Sequence, residues 1–229
     1  MNKPIKVAIF DFDDTLFQGQ SHSHFFRFLK STPVSLHKKI KYYLRCYVCN
    51  VSDNDREKKE MALNLIEGMS FEQVTNIADS FYSKVIKQRL NYNIVEFAQF
   101  LKSKNYILVL ASGGFGIYLQ NFVSEYKFDI VVTSNVLFDN NVFCGKIDGD
   151  ECLGEVKSNL VTQALNEYSV DWSKSVAISD HISDIPIFNL VANKLVVDFG
   201  QDITWISSAY NVIKVNEFNS KHYHSLGLD

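Results

Sequence analysis

The chain is short of the features that would pull it away from an ordinary globular fold. Among its 229 residues there are only three prolines and ten glycines, so it is not a low-complexity or collagen-like segment. No apolar run approaches the roughly 20 residues a membrane helix needs, which argues against a membrane partner. The first apolar run, Ile5–Phe10, is brief and ends in carboxylates, unlike a signal peptide, so a cytoplasmic setting is expected. Basic residues are not in excess: the formal net charge is -3, so a nucleic-acid footprint is not expected. Cysteines number four, and in a cytoplasmic setting free thiols are the default. Cys46 and Cys49 form an isolated C-x-x-C, without the second pair or strand-loop-helix setting of a zinc or redox site. They are expected to be two small buried side chains on one helix face.

What the chain has in quantity is apolar and aromatic matter. Hydrophobic residues make up 46%, with 18 Phe and 11 Tyr, enough to fill a substantial core. Near-continuous apolar runs recur at Ile5–Phe10, Tyr106–Ala111, Asp129–Thr133, Ser175–Ser179 and Leu195–Asp198, with Val212–Val215 weaker. Runs without alternation fit strands buried on both faces. Helical spacing separates several of them, as in Asn93–Lys104 and Lys157–Tyr168. The expected fold class is α/β, a doubly wound and mainly parallel sheet.

One stretch breaks this rhythm. Between Thr15 and Asn91 only helical periodicity is found: around Phe25–Leu29, over Ile40–Val48 after a break at Thr32-Pro33, over Glu57–Ile66, and over Phe71–Ile86. Ser70 and Gln73 have the spacing of a capping box for the last of these. An inserted helical unit over 17–89 is therefore expected, with the remaining core at 1–16 and 90–229. A second interruption, about 135–148, reads as a β-hairpin turning at Asp139-Asn140-Asn141 and projecting beside the site. The polar tail from Asn216 is expected to be loosely held.

Chemistry-bearing residues gather at the ends of these strands. Asp11 and Asp13 follow the first strand and share a direction because strand side chains alternate. Asp11 can accept a phosphoryl group, and Asp13 can act as general acid and then base. The other reading of the pair is an N-cap cluster. Thr15 can fix the loop. After the second strand comes Ser112-Gly113-Gly114, either a tight turn or a hydroxyl and backbone N–H groups offered to an anion. Lys157 opens a helix, where a cation is unfavourable unless an anion lies opposite. The fifth strand ends in Ser179-Asp180-His181-Ile182-Ser183-Asp184. Asp180 is placed as a Mg²⁺ ligand, and Asp184 as a supporting group or a helix N-cap. His181 either meets substrate or packs in its loop. In the insertion, His22, His24, Arg27 and Arg45 are candidates for an anionic substrate group, against the simpler reading of solvated helix faces.

In order and placement these residues resemble the four motifs of the haloacid dehalogenase (HAD) superfamily: DFDDT at 11–15, Ser112, Lys157 and SDHISD at 179–184. The stretch CGKIDGDECLGEVK at 144–157 is similar to the phosphoserine-phosphatase-like branch, subfamily IB. The resemblance implies a Rossmann-like core with a type-1 helical cap, and hydrolysis of a small phosphorylated metabolite. It implies Asp11 as nucleophile and metal ligand, Asp13 as acid/base and metal ligand through its carbonyl, and Asp180 as the further Mg²⁺ ligand. Ser112, with Gly113 beside it, and Lys157 would bind the phosphoryl group, with Asp184 orienting the metal shell. Phosphotransfer or mutase chemistry would use the same intermediate. A phospho-Asp receiver or an inactive binding module is the non-enzymatic alternative. The acidic, Met-rich stretch expected after the first motif of a true phosphoserine phosphatase is missing.

Overall fold

A computed structural model describes residues 4–33, 35–48, 55–223 and 226–228. Strand β1 (Lys6–Phe10) leads into four helices: α1 (Ser21–Ser31), α2 (Leu36–Val48), α3 (Asp55–Leu63) and α4 (Phe71–Phe81). Then follow α5 (Tyr92–Ser103), β2 (Tyr106–Phe115), α6 (Gly116–Tyr126), β3 (Ile130–Asp139), β4 (Val142–Asp148) and α7 (Gly154–Ala164). The chain closes with β5 (Val176–Ser179), α8 (Ile185–Phe188), β6 (Asn193–Asp198), β7 (Asn211–Lys214) and α9 (Ser220–Tyr223).

The seven strands form one sheet in the order β4-β3-β2-β1-β5-β6-β7, parallel throughout except for β4. The first strand is thus central, flanked by β2 and β5. This explains the unbroken apolar run Val7–Phe10: both faces of β1 are covered, and all four residues are fully buried or nearly so. Ala8 and Phe10 join one apolar cluster, Val7 and Ile9 the other. The carboxyl ends of β1, β2 and β5 meet at one sheet edge, where the order of connection reverses. Such a crevice is the usual ligand site of open α/β sheets.

The helical insertion packs on the β1 face that carries Phe10. Phe25, Leu29, Leu63, Val74 and Phe81 belong to the same apolar cluster as Phe10, Leu110 and Phe122. Helix α4 starts at the expected capping box: the Ser70 hydroxyl accepts from the Gln73 N–H, and the Gln73 side chain accepts from the Ser70 N–H. The helix ends earlier than its periodicity suggests, passing into a wider π turn at Tyr82–Ile86.

Three expectations need correction. Strand β2 runs to Phe115 rather than stopping at Ala111, because Ser112-Gly113-Gly114 stays extended with a register shift against β3. The hairpin does not project freely. Strand β3 carries the sheet straight into it, and the outer edge of β4 is taken up by the insertion. There Phe143 exchanges backbone hydrogen bonds with residues 68 and 69, and the Phe71 N–H donates to the Asn141 carbonyl. An open strand edge is unstable against pairing, and this contact closes it. Nor is the tail loose: Phe218, Tyr223 and Leu228 are buried, and Tyr223 packs on Phe97 and Phe100. The polar residues of that segment hide three apolar anchors. His224 and Cys49 lie outside the described residues, as do the side chains of Arg45 and Cys46.

Candidate active site

The sheet edge above β1, β2 and β5 opens into a cavity of ≈ 870 Å³. Asp11 and Asp13 both line it, as strand alternation requires, while Phe12 between them turns into the core and stacks on Phe17. Asp14 takes a left-handed conformation (φ 52°) and turns its carboxylate back to the Gly19 N–H, 2.8 Å away, so the chain leaves the sheet in a tight loop.

Lys157 lies in the first turn of α7 and is only 3% exposed. Its ammonium donates to Asp11 Oδ1 at 2.8 Å and straddles both oxygens of Asp184, at 2.7 and 2.9 Å. This answers the question its sequence position raised: the anions that hold a cation at this helix start are two buried carboxylates. Burial pulls the Lys157 pKa down, but Asp11 and Asp184 more than offset this, and the net shift is upward. Lys157 is therefore a fixed positive charge. Asp184 also accepts from the Ser179 hydroxyl at 2.6 Å. It stands at the N-cap position of α8, as one reading has it, but its side chain makes no capping hydrogen bond and serves the lysine instead.

Asp180, at the end of β5, is 5% exposed and accepts from the Thr15 hydroxyl at 3.2 Å. Thr15 therefore ties the β1 loop to the β5 loop. Burial raises Asp180 to about 7, with the charge of Asp14 adding to it against hydrogen bonds from a backbone N–H and Thr15. Asp11 is raised well above the ordinary carboxylate range: burial is the largest cause, Lys157 pulls against it, and Asp184 and Asp180 add to the rise. A carboxylate raised by burial and by two neighbouring carboxylates marks a place suited to positive charge.

Ser112 is fully buried, and its Oγ accepts from the Gly114 N–H at 3.0 Å. Gly113 reaches the cavity wall. A Cβ there would lie 2.6 Å from Leu153 Cδ2, the end of a half-exposed side chain that would have to turn aside. His181 lines the cavity, and its Nδ1 accepts from the Ser183 N–H, capping the short turn after β5.

The insertion supplies the opposite wall. His22 and Arg27 face the cavity from α1; His22 Nδ1 lies 3.9 Å from Asp13 Oδ2. His24 is not among the lining residues and packs edge-on against Phe17. Sequence reasoning missed other wall residues: Phe26 and Lys30 on α1, Tyr42 on α2, and Lys58 and Lys59 on α3. The signal was present in the spacing: Ser23, Arg27 and Lys30 on α1, and Asp55, Lys58 or Lys59, and Ala62 on α3, recur with helical period. Lys59 is held by Glu151, a partner from the far side of the β4 turn that no local pattern announces.

A buried lysine bridging two carboxylates thus meets a third carboxylate and a hydroxyl-glycine strand at the carboxyl edge of a Rossmann-like sheet. The sequence profile of the haloacid dehalogenase-like hydrolases matches residues 8–189. The chain belongs to that family and is an enzyme of phosphatase type. It is 22% identical to a phosphoserine phosphatase of Campylobacter jejuni, over 81% of this chain and 83% of the relative. Identity to one from Methanocaldococcus jannaschii is also 22%, over 85% and 86%. Among solved structures, a Bordetella pertussis protein of unknown function superposes with a TM-score of 0.77 at 18% identity, covering 93% of this chain and 100% of that one. A substrate-bound phosphoserine phosphatase superposes at 0.64 and 16% identity, covering 98% and 99%.

Proposed function

We propose that the protein is a Mg²⁺-dependent phosphatase that hydrolyses a small phosphomonoester through an aspartyl-phosphate on Asp11, with residues 17–89 serving as its cap. The carrying observation is the Asp11–Lys157–Asp184 contact, which holds a carboxylate oxygen in place at the cavity floor. An Asp11 oxygen attacks phosphorus, and the ester P–O bond breaks. Asp13, on the same wall, gives its proton to the leaving oxygen. It then takes a proton from the water that attacks the aspartyl-phosphate, releasing phosphate and restoring Asp11. Lys157 neutralises a phosphoryl oxygen. The Gly113 N–H and the Ser112 hydroxyl, whose proton is not used by its bond to Gly114, serve the others.

The donor set fits Mg²⁺. The Asp11 and Asp180 carboxylates and the Asp13 carbonyl are hard oxygens, and the charge of Asp180 raises the proton affinity of Asp11. Among the described residues no three His, Cys, Asp or Glu side chains converge into a cage. Mg²⁺ asks for none, since water and substrate oxygens complete its shell. When bound, the ion would offset the charge gathering on the phosphoryl oxygens. Thr15 and Asp184 hold Asp180 and Lys157 in place.

The wall formed by α1 and α3 narrows the ester. Arg27, Lys30 and Lys58 favour a leaving group with a second anion, and Phe26 and Tyr42 favour an apolar body. Among the described residues an ammonium group would find one lining carboxylate on that wall, Asp55, which already pairs with Lys58 at 3.3 Å. This argues against phosphoserine as the preferred substrate. The test is phosphate release from a panel of esters with and without Mg²⁺. Metal-dependent release, lowered about 10³-fold or more in Asp11→Asn, is expected. Release that survives this substitution overturns the reading. A phosphorylated acceptor accumulating in place of phosphate would make the enzyme a phosphotransferase.

A further inference from the structure

Helix α1 begins without a cap of its own: Gln20 stands at the N-cap position, and its side chain makes no capping hydrogen bond. The cap comes from Asp13. Its Oδ1 accepts from the Ser21 N–H at 2.8 Å, so the positive end of α1 holds the Asp13 carboxylate. Ser21 is itself fully buried, unusual for a serine at the start of a surface helix. Its hydroxyl is 2.9 Å from the hydroxyl of Tyr118 on α6.

Tyr118 is anchored on every side. Its ring packs on Phe25, Phe81 and Phe115, with centroids 4.9, 5.3 and 6.0 Å away. Burial, with the charge of Asp13 behind it, pushes the phenol far above its ordinary value, so it stays protonated. Backbone closes the remaining side. A Cβ on Gly114 would fall 2.9 Å from both the Ser21 and the Tyr118 hydroxyl, so the strand end is pressed against the pair.

We infer that Tyr118 is a positioning residue for Asp13, acting through Ser21 to hold the first turn of α1 where its N–H meets the carboxylate. The chain Tyr118–Ser21–Asp13 runs from a core helix, through the first turn of the insertion, to the acid of the reaction. Losing the phenol hydroxyl loosens the start of α1 and with it the aim of Asp13, while the apolar packing of the ring is kept. The inference rests on the role of Asp13 proposed above, and it makes a claim a purely structural tyrosine would not satisfy. Only esters that need protonation of their leaving group should suffer.

The experiment compares kcat/KM, which reports the steps up to leaving-group departure, for glycerol 2-phosphate and p-nitrophenyl phosphate. The alkoxide leaving group requires the acid; nitrophenolate does not. In Tyr118→Phe the glycerol ester should lose about tenfold, part of what a general acid contributes, and the nitrophenyl ester less than about twofold. Ser21→Ala should give the same pattern. The double variant, in which neither hydroxyl is left unpaired, should show no further loss, because the pair acts as a unit. Equal losses on both esters, or none on the glycerol ester, overturn the inference. If Tyr118→Phe does not fold, the double variant is read by the same criterion. A wild-type protein that hydrolyses neither ester would instead strike the proposed function.

Discussion

The two walls of the cavity are built on opposite principles. On the sheet side the charged groups are buried and mutually held: Lys157 by Asp11 and Asp184, Asp180 by Thr15, Asp184 by Ser179. On the insertion side, apart from Lys59 held by Glu151, the charged groups stand on exposed helix faces. Arg27 is solvent-exposed, and Lys58 and Asp55 have side chains 52% and 85% exposed. A buried ion pair costs much to break, because the partner left behind cannot be resolvated. A half-exposed cation is cheap to move. The floor, the proposed reaction centre, is therefore fixed, and the wall is a surface whose polar residues can change without loss of the fold.

Substitutions should separate the walls, and the largest effect belongs to the floor. Lys157→Met leaves Asp11 and Asp184 facing one another without a counter-charge. It should cost about 3 kcal/mol or more of stability and abolish turnover, read by thermal melting and phosphate release. A melting temperature near wild type would mean that the lysine was not holding the carboxylates. Charge reversal on the wall should do less. Arg27→Glu should raise KM about tenfold for esters with a second anionic group, with little change for p-nitrophenyl phosphate and in melting temperature. An equal rise for both would place Arg27 at the phosphoryl group instead. The smallest effect lies away from the cavity: Ser70→Ala removes the α4 capping box and should cost about 1 kcal/mol by denaturant unfolding, with activity intact.

The floor was legible for a physical reason. Asp11, Lys157 and Asp180 each sit just past a strand or at the start of a helix, and Ser112 lies where the apolar run of β2 stops, though the strand itself goes on to Phe115. Neither Lys59–Glu151 nor Ser21–Tyr118 was legible. Their partners lie 92 and 97 residues apart, and nothing near either member marks it. The tail was misjudged for a related reason: Phe218, Tyr223 and Leu228 are too sparse to show a period, yet each finds a place in the core.

The sequence by itself determined the α/β alternation, the helical insertion after β1, the capping box of α4 and the order of carboxylates, hydroxyl and lysine along the chain. These follow from local periodicity and from residues whose conformational preferences act within a few positions. Tertiary structure decided which charges meet: that Lys157 answers two carboxylates, that Asp184 serves the lysine rather than a helix end, that β4 is covered by the insertion, and that Asp13 rather than Gln20 caps α1. Each of those contacts joins residues whose burial and charge balance exist only once the sheet has brought its strand ends to one edge.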